Sequence, residues 1–322
     1  MIVNALLLPH AYLPLPSAGV IRRCPEDFVV EELAAHDSDE AGEHLLLSIE
    51  KNGVNSQHVA TELARLFAVP PIDVSFAGMK DRHAVTRQWF SVRTPRSAVD
   101  VQAGAGWRIV GSQRARQKLR RGDLAGNRFS IRIRELRADR RGLVERLAVL
   151  RDGGVPNYFG EQRFGKGGAN LERARAWISQ RPRAPVSAFQ KGLHLSTVRA
   201  ALFNAVLAER VAGGTWRTLL DGDVADGGTP TGPLWGRGRR ATSGCAAHCE
   251  DRALAPYADW LGPMEHLGLM QERRSLVCRP LDLAWSVGDT TLELEFALAR
   301  GQYATVVLRE LGAWCNAAGD RS

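Results

Sequence analysis

The sequence predicts a mixed α/β chain of the α+β kind, and three observations predict it. Over roughly the first 150 residues, short runs alternate apolar and polar side chains with the two-residue period of a half-buried strand. After Gly154 that texture gives way to helical and then Gly-rich stretches, and strand-type alternation returns from Leu283. The 322 residues suffice for one large domain or two of ordinary size.

Residues 20–23 and 28–33 read as short strands flanking Cys24-Pro25-Glu26-Asp27. In 43–51, Leu45, Leu47 and Ile49 share one face, and Leu46, Ser48 and Glu50 the other. Asn55 or Ser56 can cap a helix reaching residue 68, with Val59, Leu63, Leu66 and Phe67 as its apolar stripe and Pro70-Pro71 as its stop. Two β-type runs, 74–77 and 86–92, are separated by Gly78-Met79-Lys80-Asp81-Arg82-His83. Gly78 is free to take positive φ, which would let the chain reverse sharply there. Residues 107–110 form a further strand. In 127–134, Phe129, Ile131 and Ile133 face the core while Arg128, Arg132 and Arg134 face out. A helix over 142–151 ends at Gly153-Gly154. Residues 170–179 and 196–211 are helical, 213–250 are Gly-rich and weakly patterned, and 258–275 read as mostly helical. Strands 283–287 and 290–298 join through Gly288-Asp289, and 302–314 read as a C-terminal helix.

Composition narrows the function classes. The 44% hydrophobic and 24% charged fractions are those of a soluble globular protein. The net charge of +8 favours a polyanionic partner. However, 38 of the 43 basic residues are Arg, a skew that genome base composition can produce as readily as selection for phosphate binding. Leu6-Leu7-Leu8 has no basic flank and is bounded by Pro9, Pro14 and Pro16, so neither a signal peptide nor a membrane span is expected. Five cysteines without framework spacing fit a reducing cytosol and a cytoplasmic protein. Cys245-x3-Cys249, with His248 and His266 nearby, lacks the spacing of the common zinc modules, and no metal site is expected. No obligate protein partner is evident, and a monomer is expected.

Three stretches carry candidate chemistry. A carboxylate raised at Asp81 among Lys80, Arg82 and His83 can serve as nucleophile or general base, or can simply decorate a solvated hairpin tip. Gln113-Arg114-Ala115-Arg116-Gln117-Lys118-Leu119-Arg120-Arg121 is the densest basic run. It reads either as a solvated helix face or as a loop that tracks phosphates. Gly160-x4-Gly165-Lys166 has phosphate-loop spacing, but Gly167 stands where Ser or Thr should hold Mg²⁺ and no buried strand precedes it.

Taken together, several motifs resemble the TruD family of tRNA pseudouridine synthases. They are Pro25-Glu26-Asp27-Phe28-Val29-Val30-Glu31-Glu32, Gly42-Glu43-His44-Leu45, the stretch 76–90, and Gly126-Asn127-Arg128-Phe129. Further along come Gly154-Val155-Pro156-Asn157-Tyr158-Phe159-Gly160-Glu161-Gln162-Arg163-Phe164-Gly165, Leu195-Ser196-x2-Arg199-x2-Leu202-Phe203-Asn204, and Gly301-Gln302-Tyr303-Ala304-Thr305-x3-Arg309-Glu310. These blocks run the length of the chain in the family's order.

The resemblance implies a pseudouridine-synthase fold, a mixed and largely antiparallel sheet with flanking helices. Residues 1–153 and 280–322 would form this discontinuous catalytic domain, and 154–279 an inserted TruD-specific α/β domain. It also implies that Asp81 is the catalytic aspartate, that Phe28, Asn127 and Tyr303 contact the target uridine, and that Phe129 packs against the base. Arg22 falls where the family places a basic residue near the aspartate, and Lys80 is expected to give electrostatic support. Tyr303 stands where Phe is expected, so its added hydroxyl needs a partner. Ser56 stands where Thr is commoner, and 213–280 match the family poorly. The implied substrate is tRNA, at uridine 13 in the D-stem region, with Arg114, Arg116, Lys118, Arg120 and Arg121 on its backbone. The reaction moves C1′ from N1 to C5 of uracil and needs no cofactor. Two other classes share some of these features. A non-catalytic RNA-binding protein would not need Asp81, and an RNA-dependent nucleoside triphosphatase would need Lys166 and Mg²⁺.

Overall fold

The computed structural model describes residues 8–34, 39, 42–95, 103–180 and 184–318. Leu6 and Leu7 lie outside them. The strands are β1 (Ser17–Ile21), β2 (Phe28–Ala34), β3 (His44–Lys51), β4 (Val74–Phe76), β5 (Val85–Arg93), β6 (Ala103–Gly104), β7 (Trp107–Ala115), β8 (Leu124–Ala138), β9 (Val155–Pro156), β10 (Ala225–Asp226), β11 (Thr229–Leu234), β12 (Glu272–Ser275), β13 (Val277–Cys278), β14 (Leu281–Val287), β15 (Thr291–Ala299) and β16 (Gly312–Asn316). The helices are α1 (Ser56–Leu66), α2 (Arg140–Gly153), α3 (Ala169–Ser179), α4 (Ala188–Ala212), α5 (Gly244–Leu254), α6 (Ala258–Glu265) and α7 (Ala304–Arg309).

The chain divides into two compact units. One, here the sheet unit, comprises Pro16–Arg146, Pro280–Gly301 and Gly312–Ser322; the other, the helical unit, comprises Met1–Leu15, Leu147–Arg279 and Gln302–Leu311.

In the sheet unit, the strands run in the order β14-β15-β8-β2-β5-β3-β7-β6, with β1 joining β8 to β16 and β4 joining β5. Pairing is antiparallel except for β1 with β16 and β2 with β5. The alternation in β8 is what closes the chain's two ends into one sheet. Phe129, Ile131 and Ile133 face Phe296, Leu294 and Leu292 across β15, so the apolar sides of two sequence-distant strands coincide. On β3, Leu45, Leu47 and Ile49 pack with Val59, Leu63 and Phe67 around α1. Asn55 caps that helix by accepting from the His58 amide at 2.7 Å, a contact that stabilises a helix start by about 1 kcal/mol.

The helical unit is built on α4, whose buried face, including Val198, Leu202 and Val206, packs with Leu171 and Ile178 of α3 and with Ala253 and Leu254 of α5. Short ladders β10-β11-β12 and β13-β9 complete it.

Several local expectations are corrected. Residues 213–250 are ordered by β10, β11 and α5 despite their weak pattern. The helix predicted over 258–275 stops at Glu265, because Glu272–Ser275 instead pairs with β11. The predicted C-terminal helix is only Ala304–Arg309; Gly312–Asn316 is recruited as a strand parallel to β1. The strand from Trp107 runs on to Ala115, paired with β3, so the basic run begins on a strand edge and continues as a loop rather than as a helix face. Gly78 does not take the left-handed conformation, and a Cβ there would meet nothing within 4 Å. The reversal is a wide loop over 77–84, since Phe76 pairs with Phe90 while β5 already begins at Val85. Spreading the turn over several bends removes any need for positive φ.

Candidate active site

The loop carrying Asp81 is held by polar side chains from strands β3 and β5 and from the start of helix α1. Along β3 the apolar face runs Leu45, Leu47, Ile49 and then Lys51, which is only 1% exposed. The Lys51 ammonium donates to the carbonyls of Val54 (3.0 Å), Asp81 (3.2 Å) and Lys80 (3.4 Å). On β5, buried Gln88 donates to the Gly78 carbonyl at 3.1 Å and accepts from the Ser56 hydroxyl. Ser56 Oγ in turn accepts from the Lys80 amide at 3.2 Å. Backbone groups on both sides of Asp81 are therefore tied to rigid elements, which fixes the loop more firmly than its own sequence could.

Asp81 itself is partly open, its side chain 26% exposed. One carboxylate oxygen accepts from the His83 amide at 3.0 Å, and the other lies 3.3 Å from Arg22 Nη2. Arg22 is nearly buried, its guanidinium 4.2 Å above the Phe28 ring, and burial lowers its pKa while Asp81 opposes that shift. Its backbone sits at φ 56°, in the left-handed region that costs a non-glycine residue of order 1 kcal/mol or more. That strain turns the chain after β1 so that the guanidinium meets Asp81.

Phe28 and Phe129 meet edge to face at 6.2 Å, and Phe129 stacks on Phe296 at 5.4 Å. All three rings are buried and form an apolar floor. Asn127 shares the face of Phe129 two residues along β8 and pairs across the ladder with Glu32 of β2. Lys80 connects these groups: its ammonium lies 3.1 Å from the Glu32 carboxylate and donates to Asn127 Oδ1. Burial raises the pKa of Glu32, and the Lys80 ammonium opposes that shift. The sheet unit thus brings together Asp81, Arg22, Lys80, Phe28, Asn127 and Phe129.

Tyr303 belongs to the helical unit. Its hydroxyl accepts from Arg163 Nη2 at 3.1 Å, which supplies the partner that the extra oxygen needs. Its ring lies 6.3 Å from Phe159, whose backbone amide and carbonyl are both bonded by the Asn204 side chain. Arg274 stacks on Phe159 at 4.3 Å and donates to Asn157 at 2.7 Å. The Asn157-Tyr158-Phe159 and Leu202-Phe203-Asn204 motifs are thereby joined in one aromatic and amide cluster.

Of the basic run, Arg114 donates to the carbonyls of Thr94 and Pro95, Arg116 pairs with Asp39, and Lys118 donates to the Ile72 carbonyl. Arg120 and Arg121 are exposed beside buried Leu119, whose amide and carbonyl are bonded to Ser91 and Ser75. The phosphate-loop spacing at Gly160–Lys166 leads into short 3-10 turns, and only the two-residue β9 precedes it.

Glu32, Lys51, Gln88 and Arg163 were not among the residues singled out from sequence. The signal for the first three was parity: each is a polar side chain on the apolar face of its strand. For Lys51 this has a measurable consequence. Burial pushes its pKa down from 10.5 to about 8. Between those values the unfolded chain holds a proton that the folded chain has released, so stability rises with pH across that window. Relative to Lys51→Met, the wild-type unfolding free energy should gain about 2 kcal/mol between pH 7.5 and 9.5 in denaturant titrations. A constant gap between the two proteins would show that Lys51 is not a desolvated cation.

The fold is that of the pseudouridine synthases. The crystal structure of the TruD protein from Methanosarcina mazei superposes with a TM-score of 0.71 at 20% identity, covering 95% of this chain and 96% of that one. The family model for tRNA pseudouridine synthase D matches residues 14–181 and 225–311. The tRNA pseudouridine synthase D of Methylococcus capsulatus is 42% identical over 94% of both chains, and that of Cellvibrio japonicus is 43% identical over 95% of this chain and 93% of its own. The chain belongs to the tRNA pseudouridine synthase D (TruD) family, isomerases that act on uridine in tRNA.

Proposed function

We propose that this protein converts uridine 13 of tRNA to pseudouridine, with Asp81 as the group that starts the reaction. The ion pair of Asp81 with nearly buried Arg22, on a loop tied to β3, β5 and α1, is the observation that carries this reading. In the reaction C1′–N1 breaks with its electron pair going to the base. Asp81 either bonds to C1′ or takes the C2′ proton to leave a glycal. The uracil turns and C5 bonds to C1′, as the Asp81–C1′ bond breaks on the first route or as Asp81 returns its proton to C2′ on the second; the C5 proton then leaves and N1 gains one. No atom is gained or lost overall, and no cofactor is required. Arg22 holds the carboxylate in place, and Phe28, Phe129 and Asn127 retain the detached base. Tyr303, its hydroxyl engaged by Arg163, is assigned a contact to the uridine. A base inside folded RNA must be turned out to reach such a site.

The division of labour follows the sequence. Residues 1–153 and 280–322 are assigned the chemistry, and 154–279 the role of an inserted family-specific domain. The basic run is assigned to the tRNA backbone, Arg120 and Arg121 most directly. Five free cysteines fit a reducing cytoplasm, and among the described residues no helix is long and apolar enough to cross a membrane.

The test is to incubate the protein with unmodified tRNA, without Mg²⁺ or nucleotide, and map pseudouridine. Modification at position 13 is expected. Binding without modification would identify a non-catalytic RNA-binding protein, and modification elsewhere would overturn the position. In the same assay, changing Arg120 and Arg121 to Gln should make the salt dependence of binding shallower, by roughly 0.7–0.9 for each phosphate that the protein no longer neutralises. An unchanged slope would return both to plain solvated surface.

A further inference from the structure

Lys80 is nearly buried at a place where neither route of the reaction gives it a direct part. Its side chain is 9% exposed, that of Glu32 is 1% exposed, and the two lie 3.1 Å apart. Such a pair is a weak source of stability, because desolvation offsets much of the attraction. Its geometry has a sharper consequence. An ammonium has three donors and no acceptor, so the amide atom that faces it must be the carbonyl oxygen of Asn127. With Oδ1 turned toward Lys80, the group on the other side of the amide is the NH₂, which can only donate.

Lys80 cannot easily swing away. Its backbone amide is held by Ser56 and its carbonyl by Lys51. The Glu32 carboxylate that anchors its ammonium is the cross-strand neighbour of Asn127. The arrangement runs from sheet to carboxylate to ammonium to amide, and each link lies within the sheet unit.

We propose that Lys80, anchored by Glu32, is a positioning residue that locks the Asn127 amide with its NH₂ toward the base. This rests on the proposed contact between Asn127 and the target uridine. The pyrimidine recognised is one with an oxo group at the contacted position. A cytosine amine set at that position would meet the NH₂ donor to donor. The same orientation serves the chemistry. When C1′–N1 breaks, the electron pair left on the base spreads onto its oxo groups, and a fixed donor stabilises that charge as it develops. The effect of Lys80 is therefore on the rate of the bound complex rather than on tRNA affinity.

The experiment is a double-mutant cycle on single-turnover pseudouridine formation, with tRNA affinity measured alongside. Lys80→Met alone would leave Glu32 buried without its cation, so the neutral pair Glu32→Gln with Lys80→Met is used. Thermal unfolding confirms that each variant is folded, and Lys80→Arg, which keeps the charge and donors, is the conservative rescue. Asn127→Ala is expected to slow the reaction about 30-fold with tRNA affinity changed less than threefold. The neutral pair should slow it to a similar degree, and adding Asn127→Ala to it should cost less than about threefold more, because the interaction is already absent. Rate reductions that multiply across the cycle would overturn the positioning role while leaving the Asn127 contact intact. An Asn127→Ala variant as fast as wild type would overturn both.

Discussion

Asp81→Asn is expected to abolish pseudouridine formation, lowering the single-turnover rate by about 10⁴-fold or more, while fold and tRNA affinity persist. The substitution removes one charge and no volume. The side-chain oxygen that accepts from the His83 amide at 3.0 Å can be retained, and the loop is held by Lys51, Ser56 and Gln88 through backbone groups and Gln88's contact at Gly78. Loop geometry should therefore survive. An amide can neither bond to C1′ as a carboxylate does nor take the C2′ proton, so both routes close together. Affinity is expected to persist because the surface assigned to the tRNA backbone lies elsewhere, at Arg120 and Arg121. The measurement is quantitative pseudouridine mapping in wild type and variant at matched tRNA occupancy. Turnover by the variant within tenfold of wild type would remove Asp81 from the chemistry. Loss of binding together with activity would show that Asp81 organises the site rather than reacting in it.

The sheet was legible where one face alternates cleanly. Phe129, Ile131 and Ile133 announced the face of β8, and their partners Phe296, Leu294 and Leu292 did the same for β15. It was not legible at β16, where Gly312-Ala313-Trp314-Cys315-Asn316 has no alternating pattern and becomes a strand only because β1 offers it a parallel edge. The same holds for Glu272–Ser275, whose charged residues become a strand on pairing with β11. Around the site, the resemblance named the residues that would face the uridine, and the structure adds the polar groups that hold the loop. Val30 then Glu32, Ile49 then Lys51, and Gln88 before Phe90 and Val92 each place a polar group in line with apolar neighbours. Each such break in alternation pointed to a buried hydrogen-bonding site. A charge at that parity is costly unless it holds something, and here the groups held are Gly78, Lys80 and Asp81.

A second large effect is expected far from the chemistry, in the weakly patterned segment after α4. Arg210 and Asp223 are 3% and 2% exposed, and their side chains meet in a bidentate pair at 3.0 and 3.1 Å. The guanidinium also donates to the carbonyls of Thr215 and Thr218, and Asp223 accepts from the Leu220 amide at 2.7 Å. Gly213 and Gly214 leave this stretch with little intrinsic structure, so these contacts give it its shape. Removing one partner leaves a buried charge and orphaned carbonyls. Arg210→Met is therefore expected to lower the unfolding free energy by about 3–5 kcal/mol in denaturant titrations. Replacing both, Arg210→Met with Asp223→Leu, should cost less than the single change, because no buried charge is then unpaired. If both proteins lose less than about 1 kcal/mol, the pair does not order the segment, and its shape must come from the β10-β11-β12 ladder alone. A larger loss in the double variant than in the single would instead show that the bonds to Thr215, Thr218 and Leu220, rather than charge compensation, set the stability of this region.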